Sequence, residues 1–236
     1  RPRASQLFAD ATIDFLHHRH AQDAPFFASC SFMVPHDPRT VPDKYLGLYP
    51  SAEVELPDNF LPEHPFDNGE LMIRDEVLAG HPRGEDETRQ HLAAYYAMIE
   101  LIDDNVGWML AALEEGGQRE NTLVIFNFDH GELVGDHQLV GKGCRFYESV
   151  VRVPQVFSWP GKVREGAVSD ALVELVDIAP TLLELAGVGT APGIDFGAAA
   201  EGMLRFCYAV GAPVLDEALE RLAAVLPDRP VPGAVG

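Results

Sequence analysis

An acid and an imidazole stand side by side near the middle of the chain. Asp129 and His130 follow an apolar run over residues 123–128 and are followed by Gly131. Such a run is typical of a strand buried on both faces, and ligands of open α/β sheets bind beyond the carboxyl ends of such strands. Asp129 and His130 offer one oxygen and one nitrogen to a divalent metal ion. Taken alone, the triplet also fits a turn in which Asp129 caps the next segment.

Lys142 is a second residue with an unusual setting. The chain has three lysines, and Lys142 is the one that lies between two glycines, Gly141 and Gly143. Glycines allow close approach of the backbone to a ligand and leave the ammonium group unobstructed. A lysine in this setting suits the binding of a tetrahedral oxyanion. Lys142 is therefore a candidate anion-binding residue.

His36 is the third candidate, and it follows another apolar run. Residues 26–33 are predicted to form a buried strand, and Pro35 and Pro38 then predict an extended loop around His36. An imidazole in such a loop can transfer protons near neutral pH or can be purely structural. The residues alone leave both interpretations open.

The elements that would position these residues alternate as in an α/β layer fold. Apolar spacing predicts helices over residues 4–20, 88–115 and 177–185, and strands over 123–128 and 153–159. A proline-rich segment at residues 41–87 separates the first strand from the long helix. Irregular segments of this length are usually functional or disordered, so this one is a candidate border of the substrate pocket.

The composition excludes several classes of partner. Seventeen basic residues stand against 37 acidic ones, a formal net charge of −20. Nucleic acids and anionic membranes both require clustered basic residues, so neither is an expected partner. The sequence holds no apolar run of roughly 20 residues, the length of a membrane span. Three scattered cysteines predict no disulfide framework and favour a reducing, cytoplasmic compartment.

Several motifs occur together in one order. They are Pro25-Phe26-Phe27, Pro35-His36-Asp37-Pro38, Asp129-His130-Gly131-Glu132, Gly135-Asp136-His137, Gly141-Lys142-Gly143, Arg152-Val153-Pro154, Trp159-Pro160-Gly161 and the segment 176–183. In order and spacing this set resembles the middle and later parts of the sulfatase family, within the alkaline phosphatase superfamily. The resemblance covers residues 1 to about 188. It implies a metal-dependent sulfuric ester hydrolase with an alkaline-phosphatase-like α/β/α sandwich.

The resemblance also implies roles for the four candidate residues. Asp129 and His130 would be two ligands of an active-site divalent cation, first of all Ca²⁺, with Mg²⁺ or Mn²⁺ as alternatives. Lys142 would bind the sulfate oxygens. His36 would bind the ester or donate a proton to the leaving oxygen. A sulfate ester needs such help, because its charge must be neutralised and its leaving alkoxide protonated. The implied partner is a small-molecule sulfate ester.

Two parts of the family pattern are missing from these 236 residues. The family's nucleophile is a formylglycine made from a Cys/Ser-x-Pro/Ala-x-Arg motif, and none of Cys30, Cys144 and Cys207 begins one. An early Asp-Asp metal pair is also missing, since Asp103-Asp104 lies within a predicted helix. We therefore expect an incomplete sandwich that is inactive as an isolated chain. The alternatives are a phosphodiester or phosphonate monoester hydrolase of the same superfamily, and a non-catalytic truncated fusion product.

The tail over residues 189–236 departs from the sulfatase pattern. Its Leu204-Arg205 pair, followed by Tyr208-Ala209, and an amphipathic helix over 215–226 resemble the C-terminal end of a class I/II pyridoxal-phosphate aminotransferase. The resemblance would place a carboxylate-binding arginine at Arg205. No lysine that could carry the cofactor is recognisable, so transamination is not expected. The sequence thus predicts two parts: a catalytic domain over 1–188 and a short, mainly helical tail, which a fusion would explain.

Overall fold

The computed structural model describes residues 2–20, 25–185, 190–192 and 204–206. The chain divides into two units, one formed by residues 1–22 and 30–166 and the other by residues 23–29 and 167–236. All four candidate residues belong to the first unit. Within the described residues, no helix is both long enough and apolar enough to cross a membrane. The boundary near residue 188 stays a prediction.

Two long helices form the frame of the first unit. Helix α1 spans Pro2–Arg19 and helix α3 spans Glu85–Glu115, so both helices predicted from apolar spacing are confirmed. Three acidic residues occupy the first turn of α3, where they complement the positive end of the helix dipole. The helix ends at Gly116 and Gly117, and Gly117 adopts a φ of 64°.

The buried face of α3 differs partly from the core-facing stripe that its apolar residues, recurring at three- and four-residue steps, predict. Leu92, Ile102 and Leu113 are buried as the spacing predicts, but Tyr96 and Ile99 are about two-fifths exposed. Smaller side chains fill the centre of the interface instead, including Ala93, Ala97, Met98 and Leu101. Helix α1 and the segment after residue 42 both contact α3, so the buried face is set by two neighbours and not by hydrophobicity alone.

The sheet of the first unit is small and antiparallel. Strand β1 spans Val124–Asn127 and pairs with β2, Gln155–Ser158. The expectation of a strand buried on both faces, as in a parallel sheet, is therefore wrong for β1, whose side chains are partly exposed. The strand predicted over residues 26–33 is also wrong, since these residues form no strand. A strand needs a hydrogen-bonded neighbour, and β2 is the one neighbour of β1 within the described residues.

The predicted irregular segment is confirmed. Residues 41–84 contain helix α2, Asp43–Leu46, and two single 3₁₀ turns, Ser51–Glu53 and Glu70–Met72. A short helix α4, Glu148–Val151, follows the loop that carries Lys142. Helices and a small sheet in one unit agree with an α/β class.

The second unit contains one described helix, α5, Ile178–Leu185, which confirms the helix predicted at 177–185. Strands β3, Thr190–Pro192, and β4, Leu204–Phe206, pair antiparallel, with Ala191 opposite Arg205. The predicted amphipathic helix at 215–226, and with it the prediction of a mainly helical tail, lies outside the described residues. The role suggested for the Arg205 side chain stays a prediction.

One hydrophobic cluster connects the elements that carry the candidate site. Buried side chains from α3 pack with Val34, which precedes the His36 loop, and with Tyr45 of α2. Phe126 and Phe128, at the end of β1, pack against the same cluster. The His36 loop and the carboxyl end of β1 therefore share one rigid support, the middle of α3.

Candidate active site

Asp129 and His130 lie just beyond the carboxyl end of β1. The carboxylate of Asp129 accepts a hydrogen bond from the His130 backbone N–H at 3.1 Å. His130 Nδ1 lies 2.8 Å from the Gly131 carbonyl oxygen, which accepts only if Nδ1 carries the proton. That tautomer leaves the lone pair on Nε2, the nitrogen that could bind a metal ion. His130 is partly buried, whereas the Asp129 carboxylate is 84% exposed.

Gly131 is required by the close approach of helix α4. Its N–H donates to the Val150 carbonyl at 2.7 Å. A Cβ at this position would lie 2.0 Å from the Ser149 carbonyl oxygen, which is backbone and cannot move aside. The glycine of the Asp-His-Gly motif thus serves packing between the β1 loop and α4.

His36 lies in a turn rather than in the extended loop that the two prolines predict. Residues 34–38 form a turn followed by a bend. The His36 ring is held by its neighbour, since Nδ1 lies 2.8 Å from an Asp37 carboxylate oxygen. This contact directs the other ring nitrogen, Nε2, away from Asp37. Asp37 is mostly buried, whereas His36 is 37% exposed.

Lys142 meets His36 directly. Lys142 Nζ lies 2.7 Å from His36 Nε2, although the two residues are 106 positions apart in sequence. A lysine ammonium has no acceptor, so Nζ donates and the Nε2 lone pair of a neutral imidazole accepts. The His36 and His130 rings lie 6.2 Å apart between centroids in an edge-to-face arrangement. The structure therefore brings Lys142, His36 and His130 together, with Asp129 adjacent to His130.

Two side chains of opposite charge, Glu132 and Arg39, lie close to these residues. Burial raises the pKa of Glu132, although Arg39, Lys142, His36 and His130 each favour its ionised form. Burial likewise lowers the pKa of the Arg39 guanidinium, against the opposing effect of Glu132. Arg39 and Glu132 thus partly offset one another's charge close to the candidate side chains.

The Arg39 guanidinium also contacts helix α3. Its Nη1 lies 3.1 Å from His91 Nδ1, and burial together with Arg39 lowers the pKa of His91. Tyr95, one turn further along α3, is also close to this group. Burial, and then the Glu132 carboxylate, raise the pKa of Tyr95 to about 12.

Sequence reasoning missed Asp37, Arg39 and Glu132 as members of the site. Asp37 and Glu132 each lie within two residues of a predicted site residue, and this closeness in sequence could have indicated that they belong to the same site. Arg39 follows the second proline of the His36 loop, and nothing in its type or spacing marks it. Its contact with α3 exists only in three dimensions.

The described residues supply only part of a metal centre. Asp129 and His130 have the donor types of a divalent-cation site, and the tautomer of His130 fits metal binding. Ca²⁺ and Mg²⁺, however, take about six or more ligands. Within the described residues no group of three or more His, Cys, Asp or Glu side chains could hold a metal ion. The pair therefore does not fit a complete centre by itself.

Two further neighbours of the metal motif have structural contacts. His137 stacks on Tyr147 with ring centroids 4.6 Å apart, and its Nε2 lies 3.3 Å from Asn59 Nδ2. Arg152 is 85% exposed and lies 3.8 Å from Glu148 of the same helical turn.

The sequence matches the sulfatase family model over residues 3–188. The chain belongs to the sulfatase family. An arylsulfatase of Clostridium perfringens is 35% identical over 188 residues, an alignment that covers 78% of this chain and 38% of the arylsulfatase. The multifunctional alkaline phosphatase superfamily protein PehA of Trinickia caryophylli is 32% identical over 205 residues, covering 81% of this chain and 39% of PehA. The chain thus spans under two-fifths of the length of these two relatives.

Solved structures show the same fold relationship. The phosphonate monoester hydrolase of Silicibacter pomeroyi superposes on this sulfatase-family chain with a TM-score of 0.63 and 25% sequence identity. The match covers 78% of this chain and 38% of the hydrolase. The predicted α/β fold of the alkaline phosphatase type is therefore confirmed, as is the sulfatase membership. Sulfatases generally depend on a divalent cation.

Proposed function

We propose that the four candidate residues belong to a site that hydrolyses sulfate esters of small molecules. The observation that carries the proposal is the 2.7 Å contact between Lys142 Nζ and His36 Nε2, which joins two distant motifs beside the Asp129-His130 pair. Three separated motifs that meet in one place share one chemical reason to do so. Membership of the sulfatase family and the similarity to an arylsulfatase support this chemistry.

In the proposed reaction Lys142 binds the sulfate. Its ammonium turns from His36 Nε2 to the non-bridging oxygens of the ester and neutralises their charge, the interaction that contributes most to transition-state stabilisation in such reactions. The move frees Nε2. The formal net charge of the chain is −20, so this local positive group is the feature that would attract an anionic ester.

His36 is the proposed proton donor. Asp37 accepts a hydrogen bond from Nδ1, which fixes the orientation of the ring. Once Lys142 has left Nε2, this nitrogen takes up a proton from solvent. It passes that proton to the bridging oxygen as the nucleophile bonds to sulfur and the sulfur–oxygen bond breaks, so the leaving group departs as an alcohol. Positioned acid catalysis of this kind contributes roughly 10²–10⁴-fold.

The nucleophile and the complete metal centre are not assigned to these residues. The family nucleophile, formylglycine, needs a precursor motif that the 236 residues do not contain. Asp129 and His130 are proposed as two metal ligands, with Ca²⁺ as the first candidate and Mg²⁺ or Mn²⁺ as alternatives. When bound, the cation would supply charge stabilisation near the sulfate. The chain alone is accordingly expected to hydrolyse aryl sulfates at background rate.

Activity assays on a completed enzyme test the proposal. A chimera that adds a family-like segment with the formylglycine motif should hydrolyse an aryl sulfate. Lys142→Ala and His36→Ala should each lower kcat by about 10²-fold or more. Lys162→Ala is the matched control, because Lys162 is exposed and belongs to none of the site motifs. Equal activity of the Lys142→Ala and Lys162→Ala chimeras would refute the assignment, as would aryl sulfate turnover by the purified chain alone that is lost on Lys142→Ala.

Hydrolysis of a phosphonate monoester or phosphodiester is a second candidate function. The structural match to a phosphonate monoester hydrolase favours it. A lysine and an imidazole bind tetrahedral sulfur and phosphorus oxyanions alike. The ratio of kcat/KM for an aryl sulfate to that for an aryl phosphonate, measured on the same chimera, decides between the two.

A further inference from the structure

Glu76 is the most completely enclosed carboxylate near the candidate site. It lies in a turn within the proline-rich segment, and its side chain is fully buried. Burying a charge is costly unless every polar atom of the group finds a partner. The contacts of Glu76 meet this requirement, and they connect it to the loop that carries Lys142.

Each carboxylate oxygen of Glu76 accepts one hydrogen bond from an arginine and one from the backbone. Oε2 lies 2.7 Å from Arg83 Nη2 and 3.1 Å from the Val140 nitrogen. Oε1 lies 2.6 Å from Arg145 Nη1 and 3.3 Å from the Gly141 nitrogen. We call this set of five residues the Glu76 clamp. Its two backbone donors immediately precede Lys142.

The charges of the clamp balance with one further residue. Within the Glu76 clamp, two arginines contact the one carboxylate of Glu76. Glu70 supplies a second carboxylate, 3.0 Å from Arg145 Nε. Glu70 is 43% exposed, whereas the Arg83 and Arg145 side chains are almost fully buried. Glu70 therefore contacts one arginine of the clamp from its solvent-exposed side.

Gly141 brings the two segments into contact. A Cβ on Gly141 would lie 2.6 Å from Asp75 Cβ and 2.9 Å from the Asp75 carbonyl oxygen. Glycine is needed here because the neighbouring backbone, and not a ligand, occupies the space. The sequence-based expectation that both glycines serve ligand approach is thus replaced, for Gly141, by close packing against the Glu76 turn.

We infer that Glu76 is a positioning residue for Lys142. Buried ion pairs contribute little net stability, since desolvation offsets most of their attraction, so a purely stabilising role explains the clamp poorly. Fixing the backbone at Val140 and Gly141 instead determines where the Lys142 ammonium lies relative to His36. The inference rests on the proposed function, in which Lys142 binds the sulfate group.

Amide hydrogen exchange on the unmodified chain gives the first test. The N–H groups of Val140 and Gly141 should exchange well over tenfold more slowly than in an unstructured peptide, because both are buried and bonded to a carboxylate. Exchange at the unstructured rate would overturn the inference, and this result needs no variant.

Matched variants separate positioning from stability. Glu76→Asp keeps the charge but is one methylene too short to reach both the arginines and the backbone. It should release the Val140 and Gly141 amides and weaken binding of inorganic sulfate, followed through the NMR signals of Lys142 and His36, by about tenfold. Glu70→Asp, the same chemical change on Arg145's outer partner, should leave both measurements unchanged. Glu76→Gln should act in the same direction as Glu76→Asp but more strongly, because it places a donor against two donors.

The outcomes distinguish the inference from the function on which it rests. If Glu76→Asp lowers the unfolding midpoint but binds sulfate like the unmodified chain, Glu76 is structural and the inference is wrong. If Lys142→Ala leaves sulfate binding unchanged, the proposed function is wrong, whatever Glu76 does. Loss of sulfate binding in Lys142→Ala and in Glu76→Asp, but not in Glu70→Asp, supports both.

Discussion

At the scale of single residues, the site is a set of charges arranged around two imidazoles. Asp37 fixes one nitrogen of His36 while Lys142 contacts the other, so the ring has a defined tautomer in this arrangement. Glu132 and Arg39 are both half-buried nearby and partly offset one another's charge. The result is a positive group, Lys142, on an acidic protein, with two half-buried opposite charges close to it.

Tyr95 lies close to these two charges and gives a prediction for alkaline pH. Burial and the nearby Glu132 raise its pKa from 10.0 to about 12. Between these two values the folded protein holds a proton that the unfolded chain has lost, so the free energy of unfolding falls as pH rises. The part due to Tyr95 should reach about 1.4 kcal/mol by pH 11.

Urea unfolding at pH 9 and pH 11 measures this contribution. Tyr95→Phe has no phenol to ionise and should lose less stability than the unmodified chain over this interval. Tyr96→Phe, at the neighbouring and exposed position, should behave like the unmodified chain. Parallel losses in the unmodified chain and in Tyr95→Phe would contradict the prediction.

At the scale of elements, one helix supports most of the site. The middle of α3 packs against Val34 before the His36 loop and against Phe126 and Phe128 at the end of β1. Hydrogen bonds add to this packing, since the Tyr45 hydroxyl donates to Asp104 at 2.6 Å. The loop after β1 is in turn held by α4 through Gly131.

Gly131→Ala tests that last contact. The new methyl group would lie within 2.0 Å of the Ser149 carbonyl oxygen, so the backbone of α4 or of the β1 loop must shift. Such overpacking costs about 1–3 kcal/mol, which should appear as a lower free energy of unfolding in urea. Gly80→Ala meets no atom within 4 Å and should stay within about 0.5 kcal/mol of the unmodified chain. Equal stability of the two variants would show that the α4 contact is looser than described.

At the scale of the whole molecule, two factors act in opposite directions on the affinity for metal ions: the negative net charge raises it and the small number of local ligands lowers it. A formal charge of −20 attracts cations, but at physiological salt this attraction is screened beyond about 8 Å. Specific binding then depends on local ligands, and Asp129 and His130 provide two. Ca²⁺ and Mg²⁺ need about six ligands, so the affinity of this pair for either cation should be low.

Calorimetric titration of the chain with Ca²⁺ in 0.15 M salt should therefore show no submicromolar site. Asp129→Ala should abolish whatever weak specific binding is seen, whereas Asp86→Ala, which removes an exposed carboxylate elsewhere, should not. Submicromolar binding that disappears in Asp129→Ala would mean that the chain completes a metal centre with ligands beyond these two.

The sequence by itself determined the long helices, the irregular segment and the family. Periodic apolar spacing depends only on neighbours along the chain, so α1 and α3 could be predicted within a few residues of their ends. The motifs around His36, Asp129 and Lys142 were equally local, which is why those residues could be named without a structure. Asp37 and Glu132 were within reach of the same reasoning.

Tertiary structure decided what depends on distant partners. The run at 26–33 and the strand β1 have similar composition, yet only β1 forms a strand, because pairing requires a neighbour that composition does not specify. Glu76 and Arg83 carry no local signal, since their role comes from meeting a loop more than 50 residues away. Gly131 and Gly141 stand in local motifs, but their packing role also depends on distant partners, because their missing side chains leave space for another segment's backbone. Local patterns thus identified the candidate groups, and long-range packing determined their positions.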